Sequence, residues 1–295
     1  MNNLSSLGII GLGTMGSALS ENLMNNKISI SVFNRENENE KMVVKNFIKK
    51  NKRFKFLRGY NNLFQFINSL KKPRNVILLI PSGKIIDTLI KDLIPILERN
   101  DLIIDCGNSF YKDSIKREKL LKKSKIEFLD CGISGGEEGA RNGPSLMIGG
   151  NKKNFKRIFP FFKKISAKDL QKNECCAHMG GMGSGHFVKM IHNGIEYGEM
   201  QLIVETFSIL NLKYSYPEII RFFEKINTSI DSSFLLKSTI SILKEKRSSG
   251  EYIVDEILDE AETNGTGLWA SIEGLNLNQS NSIMISSLLA RTLAS

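Results

Sequence analysis

Residues 7–16 read Leu7-Gly8-Ile9-Ile10-Gly11-Leu12-Gly13-Thr14-Met15-Gly16. The apolar run Leu7–Ile10 has the length of a buried strand, and Met15–Met24 reads as a helix free of proline. Between them stand three glycines in the spacing G-x-G-x-x-G. In a strand–turn–helix setting the first glycine allows the tight turn, the second lets backbone approach a pyrophosphate, and the third lets helix pack close to strand. The helix N-terminus adds N–H groups and the positive end of its dipole. Gly11, Leu12, Gly13, Thr14, Met15 and Gly16 are therefore the expected dinucleotide cradle.

Working outward, a second strand over Ile28–Phe33 ends at Asn34-Arg35-Glu36. NAD-selective sites place a carboxylate at this strand tip to hold the ribose 2′-hydroxyl. Here the tip carries Asn34 and Arg35, and a guanidinium can pair with a 2′-phosphate through its planar fork. The expected cofactor is NADP, with Asn34 and Arg35 as contacts, although the Glu36 charge opposes a phosphate. Further strands are expected at Phe54–Leu57, Val76–Ile80, Leu102–Asp105 and Ile126–Leu129, with helices at Lys84–Leu97 and Asp113–Lys123. Such alternation means βαβ units and a mostly parallel sheet. After the glycine-rich joint Gly180–Gly185 strand-like runs become scarce, and a long helix is expected from about His186 to Leu210. The fold class is thus an α/β Rossmann-like domain, residues 1–182, followed by an all-α domain, residues 183–295.

The 295 residues carry a formal net charge of +10, 41% hydrophobic and 24% charged residues, the balance of a globular chain and not of a disordered one. Lysines are scattered without interleaved aromatics, so no nucleic-acid partner is expected. Cys106, Cys131, Cys175 and Cys176 are too few for a disulfide scaffold and lie in no zinc-finger spacing, so no metal is expected. The first residues lack the charge of a signal peptide, and no run approaches the roughly 20 apolar residues of a membrane span. The expectation is a soluble, cytoplasmic protein without a membrane partner.

The long helix holds Lys189, His192, Asn193 and Glu196. At about 100° per residue these four share an arc of about 100°, while Phe187, Ile191, Ile195 and Leu202 fall opposite, with Gly194 and Gly198 leaving room for a neighbouring element. Read for function, this is a buried acid/base face: burial lowers a lysine pKa and makes it a base, and a carboxyl group two turns on can return a proton. Read for structure alone, it is a solvated polar stripe.

The residues match more than geometry. Together with the cradle and Asn34-Arg35, the blocks Asp105-Cys106-Gly107-Asn108-Ser109, Ser134-Gly135-Gly136-Glu137-Glu138-Gly139-Ala140-Arg141, Gly143–Met147, Gly185–Met200, Asp259-Glu260-Ala261, Gly265-Thr266-Gly267 and Ala290-Arg291 resemble 6-phosphogluconate dehydrogenase of the long-chain type over almost the whole chain. The resemblance implies NADP-dependent oxidative decarboxylation of 6-phosphogluconate to ribulose 5-phosphate, carbon dioxide and NADPH, in the pentose phosphate pathway. It implies that Lys189 takes the C3 hydroxyl proton, that Glu196 protonates C1 of the enediol, and that no metal takes part. It places Asn108, Ser134, Gly135, Gly136, His192, Asn193, Tyr197 and Arg291 on the substrate, Asn108 also beneath the nicotinamide, and it implies a homodimer.

Four departures stand against the match. The family's lysine-bearing segment after the fourth strand reads Ile80-Pro81-Ser82-Gly83, a phosphate-holding lysine is replaced by Asn264, and Glu36 follows Asn-Arg where the family has Thr or Ser. The sequence also ends four residues past Arg291, whereas the family continues through further helices to a C-terminal tail that reaches the partner subunit's active site. The helical domain is therefore expected to be incomplete and the phosphate site weakened. Two other readings stay open: a β-hydroxyacid dehydrogenase for a smaller, unphosphorylated acid, and a shortened, catalytically impaired remnant that still binds nucleotide.

Overall fold

The computed structural model describes residues 4–36, 40–229, 232–261 and 265–294. The chain forms two compact units, Met1–Lys189 and Met190–Ser295. In the first, strands and helices alternate: β1 (Leu7–Ile10), α1 (Thr14–Asn25), β2 (Ile30–Phe33), α2 (Val43–Lys50), β3 (Leu57–Tyr60), α3 (Leu63–Asn68), β4 (Asn75–Leu78) and α4 (Lys84–Leu93). They continue as β5 (Leu102–Asp105), α5 (Tyr111–Lys123), β6 (Glu127–Ser134), α6 (Gly136–Asn142), β7 (Ser145–Gly150), α7 (Lys152–Ile165) and β8 (Cys176–Gly180).

The eight strands form one sheet in the order β3-β2-β1-β4-β5-β6-β7-β8. Every pairing is parallel except β6 with β7. The α/β Rossmann-like reading with a mostly parallel sheet therefore holds. Central strands β1, β2, β4 and β5 are buried along their whole length, as a sheet covered on both faces requires. One face packs Leu7, Ile9, Leu19, Leu23 and Ile30; the other packs Phe66, Ile67, Ile86, Ile90 and Ile103. The strand order reverses between β1 and β4, so the loops leaving these two strands diverge and open a crevice at their carboxyl ends.

Several boundaries move. The third strand lies at Leu57–Tyr60 and not at Phe54–Leu57, because Phe54 and Phe56 pack against each other as rings in a turn. The fourth helix stops at Leu93 and not at Leu97: Ile94 still has helical φ and ψ (−50°, −46°), but Pro95 has no N–H to continue the ladder. Strand β6 runs five residues past its expected end at Leu129, and β7 and β8 extend the sheet where no strand was expected.

The second unit holds most of α8 (Ser184–Asn211), followed by α9 (Tyr216–Asn227), α10 (Phe234–Lys244), a short 3-10 turn, α11 (Thr266–Asn276) and α12 (Ser282–Leu293). It is helical, as expected. Helix α9 opens with a capping box in which Ser215 and Glu218 satisfy each other's backbone N–H groups. Its core gathers Ile219, Ile220, Phe223, Leu236, Ile240 and Leu243. Many large apolar side chains of this unit remain exposed, among them Ile195, Leu202, Val204, Ile209, Leu212 and Leu289. Among the described residues no helix is long and apolar enough to cross a membrane.

Candidate active site

The glycine loop after β1 is shaped by backbone approach. A Cβ on Gly11 would meet the Ile80 side chain at 2.8 Å, and its φ is +101°. Gly13 faces open space and starts α1 without any side-chain cap, so the helix N-terminus is presented to an anion. Asn34 is buried behind the loop. Its Oδ1 accepts from the Leu12 N–H at 2.9 Å, and its Nδ2 donates to the Arg35 carbonyl at 3.0 Å. Asn34 therefore holds the cradle in shape. Arg35 is exposed and pairs with Glu40 at 3.0 Å, while the Glu36 carboxylate accepts from Asn61 Nδ2 at 2.6 Å.

Asn108 is exposed on the turn after β5. Fully buried Asp105 holds this turn: it accepts from the Gly107 N–H at 3.1 Å and from Ser109 Oγ at 2.8 Å, with Arg117 Nη1 at 3.3 Å. Arg117, itself buried, also reaches Asp87 and the Gly83 carbonyl. At the end of β6, Ser134 is followed by Gly135 and Gly136, both at positive φ, and α6 begins there. A side chain is strained at either glycine, so the turn offers main chain in place of side chain.

Lys189 is the last residue of the first unit, half-buried and standing over Gly132 of β6. The second unit holds the remaining polar residues of α8. His192 Nδ1 lies 3.1 Å from Glu196 Oε2, one turn on, and Asn193 Nδ2 donates to Thr266 Oγ1 at 3.2 Å. The Arg291 guanidinium sits 4.4 Å above the Tyr197 ring. Thus α12, α11 and α8 bring Arg291, Tyr197, Asn193 and His192 into one unit. Gly194 and Gly198 are where Ala270, Met284 and Ile283 come close, as the helical spacing anticipates. The acid/base face is half-buried and not buried: the His192 and Glu196 side chains keep 34% and 40% of their exposure. Asn264 lies outside the described residues.

Residues 6–181 match the family model for the NAD binding domain of 6-phosphogluconate dehydrogenase, and residues 185–295 match that for its C-terminal domain. The chain belongs to the 6-phosphogluconate dehydrogenase family. It is 43% identical over 291 residues to the decarboxylating 6-phosphogluconate dehydrogenase of Buchnera aphidicola subsp. Acyrthosiphon pisum (strain APS), covering 98% of this chain and 61% of the relative. Against the Escherichia coli (strain K12) enzyme the identity is 39% over 292 residues, covering 98% and 61%. The Plasmodium falciparum 6-phosphogluconate dehydrogenase, solved in its apo form, with its cofactor NADP+ and with its substrate 6-phosphogluconate, superposes with a TM-score of 0.91 at 39% identity, covering 98% of this chain and 62% of that one. A Mycobacterium tuberculosis 3-hydroxyisobutyrate dehydrogenase, 16% identical with a TM-score of 0.73, shares the fold. The chain spans about three fifths of the length of the curated relatives it matches.

As a member of this family the chain has a cradle that fits a dinucleotide: Gly13 is open toward solvent, the α1 N-terminus is uncapped, and the loop is fixed from behind by Asn34. Residue-by-residue reading missed the buried supports of the site, Asp105, Arg117, Asp130 and His186. A signal was present for the acids. Asp105 and Asp130 each sit within or at the end of an apolar strand, where a carboxylate survives only with dedicated donors.

Proposed function

We propose that the chain carries out NADP-dependent oxidative decarboxylation of 6-phosphogluconate to ribulose 5-phosphate and carbon dioxide. When bound at the Gly11–Gly16 cradle, the cofactor supplies the nicotinamide that accepts a hydride. Asn34 shapes that cradle, Arg35 exchanges its exposed partner Glu40 for the 2′-phosphate, and Asn108 supports the nicotinamide end. Lys189, entering as a neutral amine, takes the proton of the C3 hydroxyl as hydride leaves C3. The resulting 3-keto acid loses its carboxylate as carbon dioxide, the bonding pair passing into an enediolate. Glu196, protonated, gives its proton to C1, and His192 beside it holds that carboxyl in place. Ser134 and the Gly135-Gly136 main chain receive the substrate carboxylate, and Asn193, Tyr197 and Arg291 bind further along the sugar phosphate. Residues 1–182 serve as the NADP-binding domain and residues 183–295 as the substrate and dimerisation domain.

The observation that supports this best is helix α8, which carries a lysine and a carboxyl group two turns apart within a family match covering both units. A cytoplasmic homodimer fits the reading, its contact drawn from the exposed apolar side chains of the helical unit. The test is NADPH formation by purified protein given 6-phosphogluconate and NADP, with Lys189→Met in parallel. Turnover in the wild type and its loss in Lys189→Met, with NADPH binding kept, is expected; equal turnover in both refutes the base assignment.

A further inference from the structure

Helix α8 begins against the sheet with almost nothing between the two backbones. A Cβ on Gly185 would meet the Gly149 N at 2.7 Å and the Asp130 carbonyl at 2.8 Å. One on Gly132 would overlap Lys189 Cβ and stand 3.0 Å from the Gly185 carbonyl and 3.1 Å from Lys189 Cγ. The helix end is fixed by a fully buried carboxylate: Asp130 Oδ1 accepts from the Gly183 N–H at 2.8 Å, and Oδ2 from the His186 N–H at 2.7 Å. Two N–H donors and the positive end of the helix dipole offset the desolvation of that charge. The His186 ring then spans from Ser114 Oγ, 2.7 Å, to the Asp105 carbonyl, 3.1 Å, tying the same helical turn to the end of β5, whose following turn carries Asn108.

Along a strand, side chains alternate, so Asp130, Gly132 and Ser134 share one face of β6 at steps of about 6.6 Å. The first holds the start of α8, the second meets Lys189, and the third is the hydroxyl assigned to the substrate carboxylate. We propose that Gly132 and Asp130 are positioning residues for Lys189. The bare strand at 132 and the carboxylate at 130 dock the first turn of α8 onto β6, and so fix the Lys189 amine in register with Ser134 and, through His186, with the Asn108 turn. The inference rests on Lys189 being the base. No side chain at 132 leaves that register intact, and no neutral side chain at 130 accepts from both N–H groups equally well.

The experiment compares wild type, Gly132→Ala and Asp130→Asn. NADPH affinity, read by its fluorescence, stays within about twofold of wild type, because the cradle lies on other strands. With 6-phosphogluconate and NADP, kcat falls about a hundredfold in Gly132→Ala and about tenfold in Asp130→Asn while KM for NADP holds, the split expected of a misplaced base. Reductive 13C-methylation gives each lysine amine an NMR signal, and the one lost in Lys189→Arg belongs to Lys189. That signal moves in both variants while those of the surface lysines do not. The proposal is overturned if the Lys189 signal stays in place in both, or if kcat stays within about threefold of wild type in both. An inactive wild type refutes the proposed reaction, and the Lys189 signal together with NADPH affinity then decides the positioning claim alone. If Gly132→Ala does not fold, the isosteric Asp130→Asn decides by the same criteria.

Discussion

Replacing Arg35 by alanine should loosen NADP and leave NAD almost untouched. In the free protein Arg35 holds Glu40 at 3.0 Å, with 59% and 39% of the two side chains exposed. An exposed pair of this kind is worth about 0–1 kcal/mol. A guanidinium bonded to a phosphate is worth about 1.5–3 kcal/mol. NADP must displace Glu40, so the net gain from Arg35 is about 0.5–3 kcal/mol, and its loss raises the NADP dissociation constant by roughly twofold to a hundredfold. The same bookkeeping sets the sign for Glu40→Gln: removing the competing carboxylate frees the guanidinium and tightens NADP by up to about fivefold. Asn61 holds the Glu36 carboxylate at 2.6 Å, which orients it without removing its charge. The assay is a fluorescence titration of NADPH and NADH against wild type and both variants at two salt concentrations, since screening weakens the phosphate contact. Equal loss of NADPH and NADH in Arg35→Ala would show that this side chain does not distinguish the 2′-phosphate. Weaker NADPH binding in Glu40→Gln would refute the competition.

Asp101→Ala should cost up to about 3–5 kcal/mol of stability, because it takes the 2.7 Å partner from buried Arg74 Nη1 and leaves that guanidinium the longer, exposed contact to Glu98 at 3.4 Å; a urea midpoint within error of wild type at unchanged slope would contradict this. Burial pushes the Cys176 thiol up to about 12, and a hydrogen bond with Cys106 pushes Cys131 well above the usual thiol range. A raised thiol pKa means less thiolate, so at about pH 8 iodoacetamide should modify half-buried Cys175 first, and comparable rates at Cys131 or Cys176 by mass spectrometry would refute that order. Light scattering should find a dimer or larger assembly, given exposures of 68% at Ile209 and 88% at Leu212, and a stable monomer would count against the homodimer.

What the sequence made legible, and what it hid, separates along one physical line. Strands β1 and β5 lie where the apolar runs Leu7–Ile10 and Leu102–Asp105 put them, because a strand buried on both faces reads as a short continuous apolar run bounded by turn residues. Two of the failures sit at glycines that serve a neighbour. Gly59 breaks the apolar run of β3, yet Val44 and Ile48 of α2 lie where its side chain would be, so the strand continues through it. The expected strand stops at Leu129, whereas β6 runs on through Gly132 to Ser134 and the gap at 132 is filled by Lys189. Local patterns record what a residue prefers for itself; a glycine that makes room records a preference of its partner, and the partner of Gly132 is 57 positions away. The site shows the same division. Lys189, His192, Asn193 and Glu196 are legible because one helix carries them, and their spacing is local. Asp130 and His186 are not, because the groups that justify their burial come from other strands and helices, and Asp105 adds Arg117 of α5 to its local donors Gly107 and Ser109. If Lys189 is the base, its aim therefore depends less on the helix that spells it out than on a strand whose sequence, read alone, ends too soon.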